Sequence, residues 1–214
     1  MAYSYPILLD LMGKLVVIVG GGKVAVRKAR GLIEGGATRI KCIAPEFEED
    51  MPREVETVEA SFQPSQLDGA TLVFAATDSP QVNFDVVRAA NQRKIMVSRV
   101  DSDEDHGDFV LPANWRNGHV LVSISTGSPA LSSALRDEIK ANFRSMRRYE
   151  QMAELLQSLR PWLMNSSLET SRRIDALFEL ATKPALDVLA QSGSEGLYRW
   201  LVERYPELKL EKAP

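Results

Sequence analysis

The sequence has little of several residue types that mark common classes of protein. A single cysteine, Cys42, among 214 residues excludes an internal disulfide framework, as expected of a chain in a reducing cytosol. The two histidines, His106 and His119, have no partner at metal-ligand spacing, so we expect no metal site. No apolar run approaches about 18 residues, and the first residues lack the basic flank and long apolar stretch of a signal peptide. We therefore expect a cytoplasmic protein without a membrane span.

An excess of charge of one sign is also missing. The chain has 26 Lys and Arg against 29 Asp and Glu, which gives a net charge of −3. Such a balance attracts neither nucleic acid nor an anionic membrane, so we expect neither as a partner. With 44% hydrophobic residues, the chain can build one sizeable core, or one domain and a smaller appendage.

Strand and helix patterns alternate over the first hundred residues. Apolar runs at Lys14–Gly20 and Ala70–Asp78 are typical of strands buried on both faces of a parallel sheet. Helical spacing occurs in Val24–Glu34 and Pro80–Lys94. Further strands are predicted at Arg39–Pro45, Val55–Pro64 (at the sheet margin) and Ile95–Asp101. This order predicts an α/β fold with a Rossmann-like doubly wound parallel sheet.

The pattern changes after the charged loop at Ser102–Asp108. His119–Thr126 predicts one more strand, and a long helix follows with Ser128 as its N-cap and Pro129 at its first position. From about Tyr149 onward the sequence predicts a small all-helical C-terminal domain, with breaks at Pro161, Lys183-Pro184, Gly193 and Pro206.

A glycine turn in VVIVGGGKVAVRKA (Val16–Ala29) joins the first strand to the first helix. Gly20, Gly22 and Ala25 fit the pattern G-x-G-x-x-[G/A]. In such a turn the first glycine permits the bend, the second lets a pyrophosphate approach the backbone, and the third, small residue lets the helix pack closely. Free N–H groups and the helix dipole then hold the phosphate charge. The turn predicts dinucleotide binding; the alternative is a turn that only packs two elements together.

The second strand ends without the acidic residue that usually bonds the ribose of NAD. It closes in Ala44-Pro45, and the nearest acid is Glu46. Arg39 and Lys41 would suit the 2′-phosphate of NADP, but both lie too early in the strand to point at the ribose. We therefore predict NAD rather than NADP.

Polar residues also follow two later strands at the same sheet edge. Thr77 and Asp78 lie where the nicotinamide half is expected, although Asp78 equally suits a helix cap ahead of Pro80. Asp101 suits a general base or a group that orients substrate. On pattern alone, a turn-forming Asp is the stronger interpretation of Asp101, because other acids lie nearby: Asp103, Glu104, Asp105 and Asp108.

Five stretches together resemble a known family, the precorrin-2 dehydrogenases that form the N-terminal modules of siroheme synthases. They are YPILLDLMGKLVVIVGGGKVAVRKARGLIEGGA, LVFAATDSPQVN, VSRVD, DFVLPA and LVSISTGSPALSSALRDEI, and they cover roughly Tyr5 to Arg144. The resemblance implies NAD-dependent oxidation of precorrin-2 to sirohydrochlorin in siroheme biosynthesis. Some members also insert ferrous iron as a second substrate, and the sequence does not decide whether this chain does.

The resemblance also assigns roles to particular residues. Asp101 matches the functional aspartate that ends the family motif N-x-V-D, which reverses the interpretation from pattern alone. The first cofactor loop of the family matches Gly20, Gly21, Gly22, Lys23 and Val24, and the second matches Pro45 and Glu46. We add Thr77 and Asp78 to the predicted cofactor site.

This sequence departs from the family pattern in two places. Ser98 stands where Asn is common, and Arg99 adds a cation that either binds a substrate carboxylate or points outward. The loop STGSP is shorter than usual, which leaves open any phosphorylation of the kind found in some siroheme synthases, at Ser125, Thr126 or Ser128.

The resemblance divides the chain into three parts: an NAD-binding domain at 1–112, a dimerisation region at 113–148 and the helical domain at 149–214. A homodimer is consistent with the apolar stripe at Leu131, Leu135, Ile139 and Phe143. From the length of the sequence we expect no methyltransferase domain. The alternative function is a non-catalytic dinucleotide-binding redox sensor or regulatory protein. An enzyme needs the carboxylate of Asp101, whereas a sensor would tolerate an amide there.

Overall fold

The computed structural model describes residues 5–101, 107–143 and 147–208. The chain divides into two compact units, Met1–Leu111 and Pro112–Pro214. Within the described ranges no helix has both the length and the apolar character needed to span a membrane. The predictions that involved Asp103, Glu104, Asp105, His106 and Arg144 concern residues outside those ranges.

The first unit is built on a five-stranded parallel sheet in the order β3-β2-β1-β4-β5. Its strands are β1 (Leu15–Val19), β2 (Arg39–Ala44), β3 (Glu56–Glu59), β4 (Leu72–Ala75) and β5 (Met96–Arg99). The central strand β1 is buried from Val16 to Val19 because helices cover both of its faces. The short strand β3 lies at the margin, as predicted.

Helices cover the sheet on both faces. Helix α1 (Lys23–Glu34) buries Ala25 and Ala29 in one cluster with Ile18, whereas α2 (Pro80–Gln92) buries Val86 in a second cluster with Val17. Alternate residues of β1 therefore face opposite helices, as the two-residue period of a strand requires. A short 3₁₀ helix spans Pro64–Leu67. This arrangement confirms the predicted Rossmann-like doubly wound sheet.

The start of α2 corrects one prediction. Ser79 is the N-cap, and its Oγ accepts a hydrogen bond from the N–H of Val82 at 3.4 Å. The interpretation of Asp78 as the helix cap is therefore wrong. Ser79 takes the N-cap position because a helix with proline at its first position has its N-cap immediately before the proline.

The second unit begins with an antiparallel hairpin of β6 (Ala113–Asn117) and β7 (Val120–Ile124). Strand β7 lies inside the predicted segment, but β6 was not predicted. Helix α3 (Pro129–Phe143) starts as expected, with Ser128 Oγ accepting from the N–H of Leu131 at 3.4 Å.

The remaining helices, α4 (Arg147–Met164), α5 (Thr170–Leu180) and α6 (Lys183–Arg204), share one apolar core. A kink at Gly193 and helix ends next to Lys183 and Pro206 match the predicted breaks. The break predicted at Pro161 is wrong, because Pro161 lies inside α4. An interior proline costs about 3 kcal/mol. The fully buried neighbours Leu159 and Leu163 offset that cost at about 1.5–3 kcal/mol each.

Candidate functional site

The first two glycines of the turn after β1 are required by packing against neighbouring backbone. Gly20 has a φ of 138°, and a Cβ there would overlap the carbonyl oxygen of Ala76. A Cβ on Gly21 would overlap the carbonyl oxygen of Glu46 and lie 2.9 Å from the Cβ of Ala44. Glu48 N also donates to Gly21 O at 2.9 Å, so the turn and the loop after β2 lie directly on each other.

Gly22 has a different environment. A Cβ added there would meet nothing within 4 Å among the described residues, and Gly22 is exposed. As the N-cap of α1 it offers no side-chain hydrogen bond to the first turn, which also lacks an acidic residue. The first N–H groups of a helix point outward and carry partial positive charge. The start of α1 therefore fits the phosphates of a dinucleotide, with Lys23 exposed beside it and Ala25 fully buried beneath it.

The loop after β2 holds the second group of predicted cofactor residues. Pro45 and Glu46 are both exposed where this loop crosses Gly21. The two basic residues of the strand lie elsewhere. Arg39 is the first residue of β2 and donates to Gly13 O at 3.4 Å, and Lys41 pairs with Glu56 at 3.3 Å. Neither cation lies at the carboxyl end of β2, in agreement with the preference for NAD.

The loop after β4 is held by a buried amide that the sequence analysis did not single out. Asn83 is fully buried, and its Oδ1 accepts from Thr77 N at 3.1 Å and from Thr77 Oγ1 at 2.8 Å. Its Nδ2 donates to Thr77 O at 2.9 Å. Asn83 thus fixes Thr77, while Asp78 is exposed. The available signal was its position in the apolar stripe of α2, three, four and seven residues before Val86, Val87 and Ala90.

Asp101 follows β5 and forms a bidentate ion pair with Arg99. Arg99 Nε donates to Oδ1 at 2.7 Å and Nη2 donates to Oδ2 at 3.1 Å. The side chains are 13% exposed for Arg99 and 21% for Asp101, so the interpretation that Arg99 points outward is wrong. The hydrogen bonds from Arg99 are the main cause that lowers the pKa of Asp101; burial opposes them, and a hydrogen bond from Asn83 lowers the pKa further. Asp101 is therefore a carboxylate at neutral pH.

The parallel strands place these loops at one edge of the sheet. The helix start at Gly22 and the loops at Glu46, Thr77 and Asp101 all follow carboxyl ends of strands. Ligands of open α/β sheets bind in the crevice outside these ends. The edge combines an exposed helix start, which suits an anion, with an ionised carboxylate, and this arrangement suits a dinucleotide and a proton transfer.

Cys42 and His119, the cysteine and the histidine among the described residues, do not contribute to this edge. Cys42 is fully buried inside β2, and burial raises the pKa of its thiol to about 12. Within the described ranges no three His, Cys, Asp or Glu side chains are grouped so that they could hold a metal ion. His119 is exposed at the turn between β6 and β7.

The second unit contains the predicted loop serines and the apolar stripe. Thr126 Oγ1 lies 2.9 Å from Ser132 Oγ, while Ser125 and Ser128 are exposed. On α3, Leu131 is 52% exposed, and an open hollow of about 260 Å³ is lined by Leu135, Glu138, Ile139, Asn142 and Phe143. Phe143 packs edge-on against Trp115 with ring centroids 4.7 Å apart.

Comparisons with known proteins give a family and several relatives. A family described as putative NAD(P)-binding matches residues 7–113. The siroheme synthase of Photorhabdus laumondii is 39% identical over 143 residues, which cover 64% of this chain and 30% of that protein. Siroheme synthase 1 of Aeromonas hydrophila is 41% identical with the same coverage. The chain thus spans about 30% of the length of these relatives.

One solved structure shares the fold. It is that of SirC, a precorrin-2 dehydrogenase, which is 23% identical to this chain and superposes with a TM-score of 0.74. The match covers 94% of this chain and 100% of that protein.

Proposed function

The chain belongs to the family of putative NAD(P)-binding proteins, and from this premise we propose that it is an NAD-dependent dehydrogenase that oxidises precorrin-2 to sirohydrochlorin in siroheme biosynthesis. The observation that carries the proposal is the single sheet edge that holds both the open helix start at Gly22 and the ionised carboxylate of Asp101. The names of the similar proteins, siroheme synthase and precorrin-2 dehydrogenase, support this substrate.

The proposed oxidation removes a hydride and a proton from the macrocycle, and bound NAD supplies the hydride acceptor. Gly22 and the first turn of α1 would hold the pyrophosphate, beside Gly20, Gly21, Lys23 and Val24. Pro45 and Glu46 would contact the ribose, and Thr77 and Asp78 would contact the nicotinamide half. The Asp101 carboxylate accepts the proton. Because the reaction extends conjugation in the ring, the protein has mainly to orient the substrate and supply this base.

We also propose that the protein is a cytoplasmic homodimer that associates through the exposed stripe on α3. Apolar side chains at this density on one helix face are typical of a surface that another chain covers. In a second activity, insertion of ferrous iron into sirohydrochlorin, Asp101 would accept the protons that leave the pyrrole nitrogens, with iron entering as a substrate.

The second candidate function is a non-catalytic redox sensor that binds the dinucleotide without turnover. The observation that favours it is the ion pair, because Arg99 occupies both oxygens of the carboxylate that an enzyme would use as a base.

An anaerobic spectroscopic assay with precorrin-2 and NAD separates the two candidates. We expect sirohydrochlorin only when NAD is present, and a rate at least about 100-fold lower for Asp101→Ala, because general base catalysis contributes about 10²–10⁴-fold. Asp68→Ala is the matched control. Asp68 also accepts from an arginine Nε, that of Arg93, at 2.8 Å, but it precedes the amino end of β4.

Tight NAD binding without turnover by the unaltered protein would contradict the enzyme and favour the sensor. Equal rates for Asp101→Ala and Asp68→Ala would remove the proposed role of Asp101. Addition of ferrous iron to the product, with siroheme absorbance as the readout, tests the second activity in the same cuvette.

A further inference from the structure

Arg99 is held in the sheet by its strand contacts, and its side chain is engaged in an ion pair. It is the last residue of β5 and lies in register with Ala75 of β4. The next residue continues the attachment, since Val100 N donates to Ala75 O at 3.2 Å. The Arg99 side chain is only 13% exposed, and two of its N–H groups, on Nε and Nη2, donate to the Asp101 carboxylate.

We propose that Arg99 is the positioning residue for Asp101, a permanent ion-pair partner that aims the carboxylate for proton transfer and does not itself bind a carboxylate group of the substrate. This inference rests on the proposed function.

The geometry gives a reason for such a partner. Asp101 lies beyond the end of β5, where the strand no longer restricts its side chain. A guanidinium fork fixes both carboxylate oxygens in one plane, which a single hydrogen bond cannot do. A hydrogen bond from Asn83 also lowers the pKa of Asp101, and the same buried amide holds Thr77, so Asn83 joins the carboxylate to the loop after β4.

The pairing also changes what an acidic substrate meets at this edge. An unpaired carboxylate would repel the carboxylate groups of the macrocycle, whereas a paired one presents almost no net charge. The cost is basicity, because Arg99 lowers the pKa of Asp101. Asp101 thus remains in its base form at pH values below those at which an ordinary aspartate becomes protonated.

A role in positioning Asp101 and a role in binding a substrate carboxylate predict different kinetics for variants of Arg99 in the full chain. In Arg99→Met, we expect the acid limb of the kcat profile to move to higher pH by about one unit, the lower end of the effect of a close opposite charge, with little change in KM. Arg99→Lys keeps the positive charge but lacks the guanidinium fork. In this variant the acid limb should lie close to its position in the unaltered protein. Arg93→Met breaks the matched pair with Asp68 at the other end of the sheet and should leave the profile unchanged.

A rise in KM of tenfold or more with an unmoved acid limb would overturn the inference, because it would make Arg99 a substrate ligand. An unmoved limb with unchanged KM would overturn it as well.

A measurement without substrate separates this inference from the proposed function. The carboxyl carbons of aspartate are labelled with ¹³C, the Asp101 signal is assigned with Asp101→Asn, and its titration is followed by NMR. We expect the midpoint in Arg99→Met to lie above that of the unaltered protein. An unshifted midpoint overturns the inference even if the enzyme is active, while a shifted midpoint in a protein that fails to oxidise precorrin-2 refutes only the proposed function.

Discussion

Alanine at two adjacent glycines, Gly21 and Gly22, should affect different properties of the protein. In Gly21→Ala the new methyl group overlaps the carbonyl oxygen of Glu46, a backbone atom that cannot rotate away. The backbone shifts that remove such an overlap typically cost about 1–3 kcal/mol, so the free energy of unfolding should fall by that amount. In Gly22→Ala the methyl group enters open space, and the loss should stay below about 1 kcal/mol, the usual scale of an N-cap change.

The affinity for NAD should fall in Gly22→Ala even though the stability changes little. A methyl group over the first turn of α1 would block at least one charge-assisted hydrogen bond to phosphate, worth about 1.5–3 kcal/mol. That energy corresponds to roughly a ten- to hundredfold rise in Kd. Urea denaturation gives the stabilities, and calorimetric titration with NAD gives the affinities.

The pair of variants controls for the substitution itself, because both exchange glycine for alanine in the same turn. Wild-type affinity in a stable Gly22→Ala would refute the placement of phosphate at the start of α1. Wild-type stability in Gly21→Ala would refute the requirement for close backbone packing.

Two further predictions concern other parts of the chain. Cys42 is fully buried, and the pKa of its thiol is raised to about 12, so it should react with a thiol reagent at pH 8 only after unfolding. The usual thiol pKa is 9.0. The contribution of Cys42 to stability should therefore be complete below pH 9 and decline as the pH rises towards 12. Rapid labelling of the folded protein would contradict this burial. Leu135→Glu, on the exposed stripe of α3, should convert a dimer to a monomer in sedimentation experiments, whereas Phe178→Glu, at a residue that is 72% exposed on α5, should not. A monomeric unaltered protein would contradict the proposed homodimer.

The sheet could be predicted from sequence because its strands are buried on both faces. Val16–Val19 and Leu72–Ala75 are continuous apolar runs, and few other structures place four such residues in a row out of water. The glycine turn was equally visible, but the pattern alone did not distinguish the packing role of Gly21 from the open position of Gly22. That distinction depends on where the loop after β2 passes, and this is a tertiary contact.

The errors arose where tertiary contacts override local preference. Strand β6 was missed because its residues are only half buried or exposed, so the segment has no apolar run. Asn117-Gly118, ahead of the predicted strand, was a usable turn signal for a hairpin. Pro161 favours a helix end locally, yet the buried leucines on both sides keep α4 continuous. The ion pair of Arg99 and Asp101 could not be derived, because Asp101 lies beyond the end of β5, where the alternation of a strand no longer fixes the direction of its side chain.

The seating of the Glu46 carbonyl on Gly21 limits how the cofactor preference of this protein could be redesigned. The two loops of the proposed cofactor site meet through main-chain atoms, at Gly21 with the Glu46 carbonyl and at Gly21 O with Glu48 N. An insertion or deletion at 45–48 would therefore displace the glycine turn, which we propose holds the phosphates. Loop exchange between relatives of unequal loop length should fail, whereas replacement of the exposed Glu46 side chain at constant length leaves the joint intact. Selectivity between NAD and NADP can be altered here by side-chain chemistry but not by changing the length of the loop.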